Sequence, residues 1–120
     1  MKETIEHIEQ LLARIESAMQ LIDLEGKGHR LIQLETQMQA GGFWDDRETA
    51  TRVSQQAASL KQQIEAWEHI KQQVIELLAL AREDKEDLEV NLRREIDEQH
   101  DQLLAQYEEL ELQVLMHGGA

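Results

Sequence analysis

The chain has 120 residues, and its 25 acidic side chains outnumber its 12 basic ones, which gives a formal net charge of −13. Affinity for a nucleic-acid backbone or an anionic membrane surface depends on clustered Lys and Arg, so this excess of acid argues against both ligands. The sequence contains no cysteine and no proline. Disulfides, thiolate metal sites and cysteine nucleophiles are therefore excluded, and no helix is interrupted by a proline ring.

Apolar residues recur at helical spacing in four segments, which predicts an all-α protein of three to four helices. The first two segments carry Ile5, Ile8, Leu12, Ile15, Met19 and Ile22, then Leu31, Leu34 and Met38. The third carries Ala50, Val53, Ala57, Leu60, Ile64, Trp67, Val74, Leu77, Leu78 and Ala81. The fourth carries Leu88, Leu92, Ile96, Leu103, Tyr107, Leu110 and Val114. No apolar run approaches the roughly 20 residues that a membrane span requires.

Glycine is unfavourable inside helices, so Gly26 with Gly28, and Gly41 with Gly42, predict the two breaks before the third segment. The third helix is expected to begin after a capping box, in which Asp45 is the N-cap and Glu48 stands three residues later. It should run for about 35 residues, and a helix of that length needs a partner along its apolar seam.

The charged stretch 83–87 separates the third segment from the fourth, and Asp84 is a candidate cap for the fourth helix. A short connection would return the fourth helix antiparallel to the third, with the first two helices covering the open side. We therefore expect residues 1–120 to form a single domain, an elongated antiparallel coiled-coil-like helical bundle.

The fourth segment and the turn before it hold most of the negative charge, with 12 acids and 3 bases between Glu83 and Glu111. This surface is either a solvated helix face or a face that docks on a basic protein. Asp97 and His100 have the spacing of a helical metal-ligand pair, but no convincing second pair exists, so surface histidines and no metal are expected.

Aromatic residues are scarce, and two of the four are adjacent, Phe43 and Trp44. Their position just before a helix cap predicts a hydrophobic plug that fixes how the chain enters the third helix. Trp67 lies on the apolar seam of the third helix and is expected in the core.

The sequence Phe43-Trp44-Asp45-Asp46, with the segment 22–35 before it and a closing Glu-Glu-Leu-Glu-Leu at 108–112, resembles a known family. It is similar to the N-terminal helical domain of bacterial peptide chain release factors, and looks most like the release factor 2 class, which reads UGA and UAA. The resemblance covers residues 21 to 116. It departs from the family at Gly41-Gly42, where members often carry proline.

The resemblance implies a role in translation termination, in the cytoplasm, through contact with the ribosome near the protein at the base of the large-subunit stalk. The family hydrolyses peptidyl-tRNA with Gly-Gly-Gln and reads the codon with Ser-Pro-Phe, and neither tripeptide occurs in this sequence. We therefore expect the N-terminal helical domain alone, without the codon-reading and Gly-Gly-Gln domains. Such a chain would have no enzymatic activity and no cofactor, and would contact neither nucleic acid nor membrane directly.

The competing interpretation is an independent acidic coiled-coil adaptor or oligomerisation protein. That class predicts an exposed apolar seam and a dimer or tetramer. The release-factor interpretation predicts that the bundle buries its own seam, so that a monomer is possible, although the isolated domain could self-associate.

Overall fold

A computed structural model describes residues 1–83 and 90–117. These residues form four α-helices and one 3-10 turn, without any strand. The helices are α1 (Lys2–Leu21), α2 (Leu24–Met38), α3 (Arg47–Glu83) and α4 (Val90–His117), and the 3-10 turn covers Phe43–Asp45. The predicted all-α fold is confirmed, and α3 has 37 residues where about 35 were expected.

The break between α1 and α2 lies at Asp23, so the predicted break at Gly26 and Gly28 is wrong and both glycines are inside α2. Asp23 adopts the left-handed conformation with φ of 53°, which short polar side chains tolerate. Its carboxylate caps α2 by accepting a hydrogen bond from the Gly26 amide at 3.2 Å. A Cβ at residue 26 would lie 2.1 Å from Asp23 Oδ2, so glycine here leaves room for the cap.

The chain divides into two compact units. Unit 1 combines residues 1–22 with residues 67 onward and contains α1, the later part of α3 and α4. Unit 2 consists of residues 23–66 and contains α2, the 3-10 turn and the first part of α3.

Unit 1 is a bundle of three helical segments around large aliphatic side chains. Its fully or almost fully buried residues include Ile8, Leu11, Ile15, Ile70, Val74, Leu77, Ile96 and Leu103. The Trp67 ring lies 6.1 Å from that of Tyr107, and a groove of about 390 Å³ is lined by both residues 73–80 and residues 99–106. These pairings place α4 antiparallel to α3, as predicted.

Polar pairs show the direction of α1 in the same unit. Arg82 on α3 donates to Glu9 at 3.0 Å, whereas Thr4 donates to Asp97 on α4 at 2.8 Å. Lys71 lies 3.8 Å from Glu16, so α1 runs antiparallel to α3.

Unit 2 is a helical hairpin with a smaller core. Its buried cluster is Leu34, Phe43, Ala50, Val53 and Ala57, with Leu31, Met38 and Leu60 packed against it. The α3 members of this cluster are alanine and valine, and Phe43 is its one aromatic member and its largest side chain.

The proposed cap of α4 at Asp84 lies outside the described residues. Across residues 1–83 and 90–117, no helix has the length and apolar character needed to cross a membrane.

Candidate functional site: the aromatic turn

The connection between α2 and α3 contains a tight turn. We call residues 42–48, which include the first two residues of α3, the aromatic turn. Gly42 has φ of +82°, a conformation that favours glycine. The Phe43 amide donates to the Ala40 carbonyl at 3.2 Å, and the Asp45 amide donates to the Gly42 carbonyl at 3.1 Å. The glycine and the two hydrogen bonds together define the path of the backbone into α3.

The two aromatic side chains of this turn have different environments. Phe43 is 8% exposed and belongs to the unit 2 core, whereas Trp44 is 63% exposed. The rings meet edge to face with centroids 4.9 Å apart. The expectation that both rings form a plug is therefore corrected to Phe43 alone, because successive residues of a 3-10 turn point about 120° apart and cannot both enter one narrow core.

The N-cap of α3 is Asp46, one residue later than the predicted Asp45. Asp46 accepts hydrogen bonds from the Thr49 amide at 3.3 Å and the Thr49 hydroxyl at 2.7 Å. These bonds hold the pKa of the Asp46 carboxyl below its ordinary value. Asp45 instead belongs to the 3-10 turn, so Glu48 does not complete a capping box with it. The Asp-x-x-Thr spacing at residues 46–49 is the sequence signal that identifies the true cap.

The residues that follow the exposed indole in the chain are charged. Asp45, Asp46, Arg47 and Glu48 are all solvent-exposed, so three carboxylates and one guanidinium follow Trp44 directly in the chain. The aromatic turn thus carries an exposed apolar ring and a net negative charge.

The other sequence-predicted residue, Trp67, has an internal position in unit 1. It is 3% exposed and packs edge to face against Tyr107. The Tyr107 hydroxyl donates to Glu111 at 2.7 Å, and the Arg14 guanidinium lies 4.9 Å from the Tyr107 ring centroid. Burial, followed by the hydrogen bond to Glu111, raises the pKa of Tyr107. These contacts join α1, α3 and α4, and they leave Trp67 unavailable to a ligand.

Asp97 and His100, weighed from their spacing as metal ligands, have other contacts. Asp97 accepts the hydrogen bond from Thr4, and His100 Nδ1 lies 3.2 Å from Asp101 Oδ1. The His7 and His100 rings are 6.0 Å apart. In the part of the chain that the structure describes, no three His, Asp or Glu side chains converge as a metal site would require.

These features define an acidic, all-α module that carries an exposed aromatic residue on a hydrogen-bonded turn. The PCRF domain family matches residues 27–118, which include most of α2, the aromatic turn, α3 and α4. Because this match covers most of the chain, the protein belongs to the PCRF domain family.

Curated relatives with the name peptide chain release factor 2 are similar to the chain. Those of Chlamydia trachomatis serovar L2 and Chlamydia abortus are 28% and 33% identical over 92 residues, 77% of this chain and 25% of theirs. The relative from Exiguobacterium is 25% identical over 117 residues, covering 92% of this chain and 30% of its own. The chain thus spans about a quarter to a third of their length. No solved structure gave a significant match.

Proposed function

We propose that this chain acts as the N-terminal helical domain of a UGA- and UAA-specific translation termination factor and contacts the ribosome in the cytoplasm. The observation that carries the proposal is the PCRF family match over residues 27–118. The relatives named peptide chain release factor 2 support it, because their similarity extends over 77% to 92% of the chain.

Within this proposal, the chain contributes binding and no chemistry. Gly-Gly-Gln and Ser-Pro-Phe do not occur among its 120 residues, and the matched relatives are about three times as long as this chain. Codon reading and ester hydrolysis would then belong to parts of such a factor that these residues do not include.

The proposed partner is ribosomal protein at the base of the large-subunit stalk, in keeping with the resemblance to release factors. Charge supports a protein partner over bare RNA. Unit 1 has 18 acids and 7 bases by sequence, a net charge of −11, whereas unit 2 has 7 acids and 5 bases, a net charge of −2. Ribosomal RNA phosphates would repel such a surface, whereas a basic protein would attract it.

Cosedimentation with purified ribosomes tests the proposal directly. The chain should pellet with ribosomes that contain the stalk-base protein and pellet much less with ribosomes stripped of that protein. Equal pelleting with both preparations would contradict the stalk-base partner, and no pelleting with either would contradict ribosome binding itself.

The burial of the apolar seams favours this proposal over an independent oligomerisation module. Ile15, Val74 and Ile96 are buried within unit 1, and Leu34 and Val53 within unit 2.

Exposed apolar side chains do occur near the end of α4, at Leu112, Leu115 and Met116. Self-association of the isolated chain through these residues would appear in light scattering as a concentration-dependent mass, and Leu115→Glu should reduce it.

A further inference from the structure

The aromatic turn uses only one of its two aromatic rings for folding. Phe43 belongs to the unit 2 core, whereas Trp44 keeps 63% of its surface in water and meets the Phe43 ring edge to face. Removal of an indole of this exposure from water would be favourable, at about 25 cal/mol per Å² of apolar surface. The packing of unit 2 therefore leaves this gain available to a binding partner.

Trp44 also stands on a backbone that is already ordered. Gly42 and the hydrogen bonds of Phe43 and Asp45 define the turn before it, and the Asp46 cap bonded to Thr49 defines the helix start after it. A side chain with only two rotatable torsions on such a support loses little conformational entropy when it is bound. Tryptophan in this setting is the residue type most enriched among the dominant contacts of protein interfaces.

The charges beside the ring select the chemistry of the partner. Asp45 and Glu48 are exposed, and hydrogen bonds from Thr49 lower the pKa of Asp46 on the same turn. These three carboxylates outnumber the nearby bases Arg47 and Arg52, of which Arg52 also lowers the pKa of Asp46. An unstacked nucleobase could stack on an indole, but the phosphates next to that base would meet these carboxylates. An apolar pocket with a rim of Lys and Arg would match both the ring and its surroundings.

We propose that Trp44 is the anchor by which this chain docks into an apolar pocket, rimmed by Lys and Arg, on a protein. The inference rests on the proposed function, in which the chain contacts the ribosome through protein. It goes further by naming the side chain that is inserted and the chemistry of the site that receives it.

The central test is Trp44→Ala in the 120-residue chain, measured by pelleting with purified 70S ribosomes over a range of ribosome concentrations. Loss of a dominant interface contact should weaken binding at least tenfold. Ile32→Ala is the matched control, because Ile32 is also on unit 2 and is 61% exposed; its binding should stay within about twofold of wild type. Thermal unfolding followed by circular dichroism should show that both variants remain folded.

The charge of the pocket is tested by Asp45→Asn combined with Glu48→Gln, which leaves the Asp46 cap intact. This double variant should bind severalfold more weakly at low salt, and its affinity should depend less on ionic strength. Tighter binding by the neutralised variant would indicate repulsion by phosphate and would overturn a basic protein pocket.

A photoreactive benzoylphenylalanine in place of Trp44 identifies the occupant. Irradiation of the ribosome complex should yield crosslinks to ribosomal protein, whereas crosslinks to ribosomal RNA would overturn the protein partner. If wild type binds and Trp44→Ala binds equally well, this inference fails while the proposed function stands. If wild type does not pellet with ribosomes, both fail.

Discussion

Unit 1 and unit 2 are both helical, but their cores contain side chains of different size and their surfaces carry different charge. Unit 1 buries isoleucine, leucine, tryptophan and tyrosine between three helical segments, and its net charge is −11. Unit 2 pairs alanine and valine on α3 with Leu34 and Phe43, and its net charge is only −2. The small core of unit 2 therefore depends on few side chains, among them Phe43, whereas the adjacent Trp44 remains exposed.

The largest effect should come from the aromatic ring that unit 2 buries. Phe43→Ala is expected to lower the free energy of unfolding by about 3 to 5 kcal/mol, because it removes a buried ring and leaves a cavity. Trp44→Ala, its neighbour, should cost less than about 1 kcal/mol, because most of that ring is already exposed. Urea unfolding of the two variants measures the difference, and equal losses would show that both rings support the fold.

Core substitutions in the two units should lower the free energy of unfolding for different physical reasons. Ile96→Ala in unit 1 should cost about 2 to 5 kcal/mol, because Ile96 is fully buried among large side chains. Ala57→Leu in unit 2 should cost about 1 to 3 kcal/mol for the opposite reason, since the added atoms overfill a closely packed hairpin.

Native-state hydrogen exchange can assign each loss to its unit. Ile96→Ala should reduce protection first in unit 1 amides and Ala57→Leu in unit 2 amides. A stabilising Ala57→Leu would mean that unit 2 contains unfilled space, which would contradict the difference in packing between the units.

Periodicity predicted the helices of both units but not their finer register. Residues such as Ile8, Ile15, Val74 and Ile96 were predicted as core from spacing alone and are fully buried. Leu12 was predicted on the first seam, yet Leu11 is the residue buried at 2% exposure. Two adjacent leucines satisfy a period of 3.6 almost equally well, so only the packing against other helices decides between them.

At the candidate site, too, the sequence predicted the element but not the orientation of its side chains. The sequence located the aromatic turn but did not reveal that Phe43 points inward and Trp44 outward. That choice depends on the 3-10 geometry and on α3 beginning after Asp46 instead of Asp45. The helical position of Gly26 was also missed, because it follows from the left-handed Asp23 cap and the space that its carboxylate occupies.

A smaller effect should come from the tyrosine that links the three segments of unit 1. Tyr107→Phe keeps the ring beside Trp67 and removes the hydrogen bond to Glu111, so the loss should be about 1 kcal/mol. The folded protein raises the pKa of Tyr107. The stabilisation that depends on the protonated hydroxyl is therefore fully present below the unfolded pKa near 10, and it is lost as pH rises through the folded pKa.

The single tyrosine of the sequence makes this pKa directly measurable. Near-ultraviolet absorbance should report a titration midpoint above that of the urea-unfolded chain. The Tyr107→Phe variant should show no such transition and a weaker decline of stability at alkaline pH. A folded midpoint at or below the unfolded one would contradict the burial of Tyr107 against Glu111.

The smallest effect should be stabilising and should distinguish two glycines of α2. Gly28→Ala should raise the free energy of unfolding by about 0.5 to 1 kcal/mol, because residue 28 is helical and an added Cβ meets nothing within 4 Å. Gly26→Ala would gain the same helix propensity but must displace the Asp23 carboxylate, so it should be less stable than Gly28→Ala. If the two variants were equally stable, the Asp23 cap would contribute nothing, and the boundary between α1 and α2 would need another cause.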